Sequence, residues 1–184
     1  MTISPSNTGT VRYSRPALFF HWVLAVLIPF QIGLGWYMLS IEDSPGSDAY
    51  FALHVSLGLT AAVLIALRLL WRLRNRPHPL PHGIPDWQAK TARLTHVSMY
   101  VLLLAMPVTG YLGAAYSDDA MAYFGLPLPA WATANDVLKE QFFTVHGIIA
   151  WALVALIVLH VIGAFKHLLI DKDGVFARMW PWQS

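Results

Sequence analysis

Cysteine is absent from this 184-residue chain. Its absence excludes disulfide scaffolds, thiolate zinc sites, iron–sulfur clusters and covalently attached c-type haem. Charge is scarce too: Asp, Glu, Lys and Arg make up 12% of the residues, about half the ~25% of an ordinary soluble domain. With 57% hydrophobic residues and a mean hydropathy of +0.52, the chain does not read as a soluble enzyme, a disordered segment or a nucleic-acid binder. The sequence pI near 9.0 points to no nucleic-acid partner, because the net charge is only +2. There is no long-period repeat and no low-complexity tract. A cleavable leader is not expected, since the first apolar run is too long and no small-residue cleavage site follows it. Any metal must be held by carboxylates or by the eight histidines.

What the chain has in quantity is long apolar stretches, at about 16–39, 50–71, 91–116 and 142–170. Each exceeds the ~20 residues that a helix needs to cross ~30 Å of hydrocarbon. A helix satisfies its own backbone hydrogen bonds, so the expected fold is all-α: a four-transmembrane-helix bundle forming one domain over 1–184. Pro29 and Pro107 fall inside spans, where neighbouring helices compensate for a kink. Pro16 suits a helix start.

The few charges are sorted by side. Arg12, Arg15, Arg68, Arg72, Arg74, Arg76, Lys90, Arg93, Lys166, Lys172 and Arg178 flank one side with three acids, giving +8. The other side holds Lys139 against Glu42, Asp43, Asp48, Asp118, Asp119, Asp136 and Glu140, giving −6. By the positive-inside rule both termini are cytoplasmic and the acidic loops face outward. Trp22, Trp36, Trp71, Trp87, Trp180 and Trp182 lie near span ends and read as interface anchors.

Six histidines fall within the spans: His21, His54, His96, His146, His160 and His167. Ionisable groups at such depths are costly and mark function. A helix rise of ~1.5 Å per residue puts His54 and His146 ~10–15 Å outward of the midplane, and the other four ~6–16 Å inward. His146, His160 and His167 follow at intervals of 14 and seven residues, so a continuous helix carries them on one stripe facing the bundle. Two imidazoles at one depth on different helices can take both axial positions of a haem. His54 with His146 makes one such pair; for His160, depth allows either His21 or His96. Zinc would need three or four convergent ligands, often with Cys or carboxylate, and no span core contains Asp or Glu. Gly58, Gly147 and Gly163 near these histidines suit a flat macrocycle, or equally close helix packing. His78 and His82 in the loop at 72–90 are read as structural.

The chain resembles the bacterial cytochrome b561 family, four-helix di-haem membrane cytochromes. The resemblance rests on FHW at 20–22, LHVSLG at 53–58, HVSMYVLLLAMPVTGY at 96–111, FGLPLP at 124–129, VHGIIA at 145–150, LHVIGAFKH at 159–167 and DGVFARMWP at 173–181. It implies two haem b groups, with axial pairs His21/His160 inside and His54/His146 outside. It leaves His96 and His167 near the inner haem, in a region associated with quinone. A titratable His close to the aqueous side suits proton relay to a quinone. Arg12, Arg15, Arg72, Lys90 and Arg93 are cations able to meet haem propionates or lipid phosphates.

The implied activity is electron transfer across the bacterial inner membrane, from a periplasmic donor to ubiquinone near the cytoplasmic side. Some members of the family resemble superoxide oxidases. Here the outer loops carry −6, so their summed charge does not steer a superoxide anion inward, and Lys139 is their one cation. A cytochrome b subunit anchoring a periplasmic dehydrogenase or hydrogenase is the alternative, with the acidic loops as docking face. A non-redox small transporter is an alternative of another class, and the lack of intramembrane acids speaks against it.

Overall fold

The computed structural model describes residues 12–76, 78–81 and 83–180. Four helices account for most of them: α1 (Arg15–Ser40), α2 (Ser47–Arg74), α3 (Asp86–Ala115) and α4 (Asp136–Lys166). All four are long and apolar enough to cross a membrane. They alternate in direction, so one end of the bundle collects the starts of α1 and α3 and the finishes of α2 and α4. This is the basic end; the loops with most of the acids lie at the other.

The helices outrun the apolar stretches where their tips are polar. α3 begins at Asp86 and α4 at Asp136, where Asn135 caps the helix by accepting the Leu138 N–H at 3.0 Å. Hydropathy does not register such turns. Pro29 and Pro107 lie inside helices that continue through them. α4 gives way after Lys166 to a π-helical turn, His167–Asp171; His167 itself keeps α-helical backbone, its N–H donating to the Gly163 carbonyl one turn back.

α1 packs on α2, α2 on α3, and α3 on α4. Leu24, Ala61 and Ile65 form a buried centre, with Leu27, Ile28, Leu64 and Leu103 around it. Leu153, fully buried, sits midway along α4 between His146 and His160. Large side chains such as Val26, Phe30, Val63, Leu67, Ile148 and Trp151 face outward, as lipid-exposed helices require.

Two irregular segments close the ends. In the acidic loop, β1 (Ala122–Tyr123) pairs antiparallel with β2 (Leu126–Pro127). Both turn residues are left-handed, Phe124 at φ +45° and Gly125 at φ +84°. Phe124 is held there by its N–H, which donates to Ser56 Oγ at 2.9 Å, and the Tyr123 and Thr60 hydroxyls lie 3.2 Å apart. The hairpin therefore docks on α2 beside His54.

At the basic end the 3-10 turn Phe176–Met179 straps the bundle. Arg178, 5% exposed, donates to the Pro79 and His78 carbonyls at 3.0 Å each and stands over the Tyr13 ring. Trp22 donates to the Met179 carbonyl at 2.9 Å and packs edge-on against Trp180. These two tryptophans, expected as lipid anchors, instead tie α1 to the tail. Trp71 likewise donates to Ser14 Oγ, whereas Trp87 remains exposed. Trp182 and His82 lie outside the described residues.

Candidate functional site

The bundle brings five of the six intramembrane histidines together in two groups. At the acidic end the rings of His54 on α2 and His146 on α4 have centroids 6.2 Å apart and planes at 78°. At the basic end His21 on α1 and His160 on α4 repeat that arrangement, at 6.2 Å and 77°. His96 on α3 also approaches His160, at 5.3 Å and 64°. Fourteen residues of α4 separate the two groups, ~21 Å along its axis. All these imidazoles are half-buried.

The acidic-end pair is held by neutral groups. His146 Nδ1 lies 3.0 Å from the Met106 carbonyl and 3.3 Å from Thr109 Oγ1. A proton on Nδ1, donated to that carbonyl, leaves the Nε2 lone pair free for a metal. A Cβ on Gly110 would stand 2.8 Å from His146 Cε1, and one on Gly35 would stand 3.2 Å from His54 Cε1. Both glycines are needed for the rings to lie so close to neighbouring helices. Gln31, a buried amide of α1, donates to the His54 carbonyl at 2.5 Å, and the missing side chain of Gly58 gives it room.

The basic-end group is set among charges. Arg68 lies six residues from the end of α2, as His21 and His160 lie six from the basic-end tips of α1 and α4. Its Nε donates to Tyr100 Oη at 3.2 Å. The Nδ1 atoms of His21 and His54 are buried without a hydrogen-bond partner among the described residues. His167 stands apart: Asp173 Oδ2 is 2.6 Å from its Nδ1, and Asp171 Oδ2 is 3.6 Å away. The three side chains converge closely, and Lys166 Nζ already bonds Asp171 at 2.5 Å.

The prokaryotic cytochrome b561 family model matches residues 12–182. The chain belongs to this family. Cytochrome b561 homolog 2 of Escherichia coli (strain K12) is 30% identical over 173 residues, covering 91% of this chain and 90% of that protein. Cytochrome b561 homolog 1 of the same organism is 27% identical over 179 residues, 92% and 97% of the two chains. The Yersinia pestis protein named probable superoxide oxidase CybB is 27% identical over 176 residues, 92% and 96%. As a cytochrome b561 family member, the chain is a multi-pass membrane protein of electron transfer, an oxidoreductase that uses b-type haem.

The residues fit such a group. Attachment without covalent bonds agrees with the absence of cysteine. Metal–imidazole bonds of ~2.0–2.1 Å, with ~1.2 Å from nitrogen to ring centre, put two coaxial imidazoles ~6.3 Å apart. Both pairs stand at 6.2 Å, whereas His96–His160 is about 1 Å too short.

Several contributors to the site carry weak sequence signals. Gln31 and Thr109 are polar residues inside apolar spans, and that is the available clue. Gly35 and Gly110, not Gly147 and Gly163, are the glycines that meet imidazoles. A Cβ on Gly147 or Gly163 would meet no atom of a neighbouring helix within 4 Å among the described residues, so neither serves close helix packing there.

Proposed function

We propose that the chain carries electrons across the bacterial inner membrane, from a donor at the acidic, periplasmic end to ubiquinone at the basic, cytoplasmic end. In this reading His54 and His146 hold one haem b, and His21 and His160 hold a second. Each haem, when bound, supplies reversible one-electron chemistry. The repetition of one ring geometry at both ends, 6.2 Å with nearly perpendicular planes, carries the proposal. The open faces of Gly147, next to His146, and Gly163, three residues beyond His160, suit a flat ligand beside each pair.

Reducing ubiquinone takes two protons as well as two electrons. His167 is placed to handle a proton near the aqueous surface, where Asp173 orients its ring. His96, against His160 but too near to share a metal with it, is the second such group. Membrane lipid is the surroundings and quinone the acceptor; the sharply apolar interior argues against a nucleic-acid partner.

Superoxide is the donor suggested by the name of the Yersinia pestis relative. Two superoxide anions, ubiquinone and two protons would yield two dioxygen molecules and ubiquinol. Lys139, the cation of the acidic end, is paired with Asp136 at 2.7 Å, so it offers little to an incoming anion. If superoxide is the donor, its rate rises with ionic strength as repulsion is screened. The same acidic face favours a second reading, docking of a basic periplasmic dehydrogenase or hydrogenase domain; co-purification of such a subunit distinguishes it.

A reduced-minus-oxidised spectrum with haem-to-protein stoichiometry tests the core of the proposal. Sharp α and Soret bands at two haems per chain support it, and a colourless or one-haem protein overturns it. Pulsing superoxide at the purified protein tests the donor: haem reduction no faster than the dismutation background removes that substrate.

A further inference from the structure

Arg68 is an intramembrane cation that meets no carboxylate among the described residues. Six residues from the end of α2, it lies ~9 Å inside the basic end, level with His21 and His160. A charged side chain at such depth needs a counter-charge. Arg72 follows one turn outward and Arg76 another, and none of the three has a salt bridge among the described residues. The acids nearby are engaged elsewhere: Asp171 by Lys166, Asp173 by His167, with Asp86 opening α3. Tyr100 serves Arg68 and Arg72. Its hydroxyl accepts from Arg68 Nε, and its ring lies 5.9 Å from the Arg68 guanidinium carbon and 5.7 Å from that of Arg72. A cavity of about 240 Å³ opens among Arg68, Arg72, Arg76, Arg12 and Tyr100. Two guanidinium forks braced on one aromatic ring beside a cavity have the chemistry to take an anion.

We propose that Arg68 and Arg72, braced on Tyr100, bind a porphyrin carboxylate of the haem at the basic end. The assignment rests on the two-haem reading above. Depth selects the anion. A lipid phosphate belongs at the surface, where Arg76 reaches it, whereas Arg68 shares the level of the histidine pair. Arg68 is half-buried and its Nε bonds Tyr100 on α3, so it faces the bundle rather than lipid.

Potentiometric titration of the full-length, haem-loaded protein tests this, following each haem by its visible spectrum. R68Q leaves the carboxylate uncompensated, which disfavours taking up an electron. The expected result is a fall of about tenfold in the reduction equilibrium of the basic-end haem, ~59 mV for one electron. The acidic-end haem stays unchanged, R68K restores most of the loss, and R72Q gives a smaller shift of the same sign. If R68Q sheds the basic-end haem altogether, R72Q is the deciding variant. Unchanged potentials in R68Q and R72Q overturn the proposal. Should those variants instead lose a co-purified phospholipid, measured as extracted phosphate, the anion is a lipid phosphate and the carboxylate assignment fails. Wild-type protein with a single haem, or H160A protein that keeps two, refutes the underlying two-haem reading, a failure separate from that of the arginine clamp.

Discussion

The two histidine pairs share a ring geometry and differ in everything around it. At the acidic end the surroundings are neutral: a backbone carbonyl and a hydroxyl on His146, an amide on the His54 carbonyl, and two glycines against the rings. At the basic end a third imidazole stands against His160, two arginines share Tyr100, and a tail strap closes the bundle. Neutral hydrogen bonds fix tautomer and orientation without adding charge. Charged neighbours change the energy of adding an electron, and titratable ones can pass a proton. In the two-haem reading, the acidic end would hold a metal ligand still, and the basic end would couple its haem to charge.

Removing ligands is the largest perturbation of this comparison. H54A and H146A should each lose the acidic-end haem and keep the other, while H21A and H160A should do the reverse. H96A should retain both. Haem stoichiometry and the difference spectrum of each variant check this, and loss of a haem from H96A would erase the distinction drawn from the 5.3 Å contact.

Next in size is the strap. R178A removes two charged hydrogen bonds to the His78 and Pro79 carbonyls from a buried site. A destabilisation of about 3 kcal/mol is expected. Hydrogen exchange should quicken in the tail and around Tyr13, with the acidic-end haem spectrum unaltered.

G110A sharpens the comparison from the other end. Its Cβ would lie 2.8 Å from His146 Cε1, so the ring must move. Overpacking costs about 1–3 kcal/mol, and the spectrum of the acidic-end haem alone should shift. G35A, with a contact of 3.2 Å, should do less.

The smallest effect is expected from Q31L, which removes the donor to the His54 carbonyl but fills similar space. Stability should change by no more than about 1 kcal/mol. A small spectral shift confined to the acidic-end haem is the readout; a shift at the basic end would show that the two environments are not independent.

Much of this was legible before the structure. The span count follows from hydropathy, because a bilayer accepts only long apolar helices. Depth alone paired His54 with His146. It could not choose between His21 and His96 for His160, since both sit inward of the midplane and axial position says nothing about distance across the bundle. The ring separations, 6.2 Å for His21 and 5.3 Å for His96, are what support the choice of His21 in the proposed reading. The hairpin at Phe124 was hidden for another reason. Gly125 marks a turn, but left-handed Phe beside it is unfavourable by itself, and the Ser56 contact that holds it comes from 68 residues away.

Composition and the linear order of apolar runs, histidines and charges thus determined a four-helix membrane protein with its ligand candidates sorted by depth. Those are one-dimensional properties, set by what each segment can bury. Which imidazoles face each other, which glycines admit them, which arginines lack an acid and where the tail ties down were decided only by tertiary structure. They depend on rotation and lateral distance between helices, and these emerge only when the helices pack.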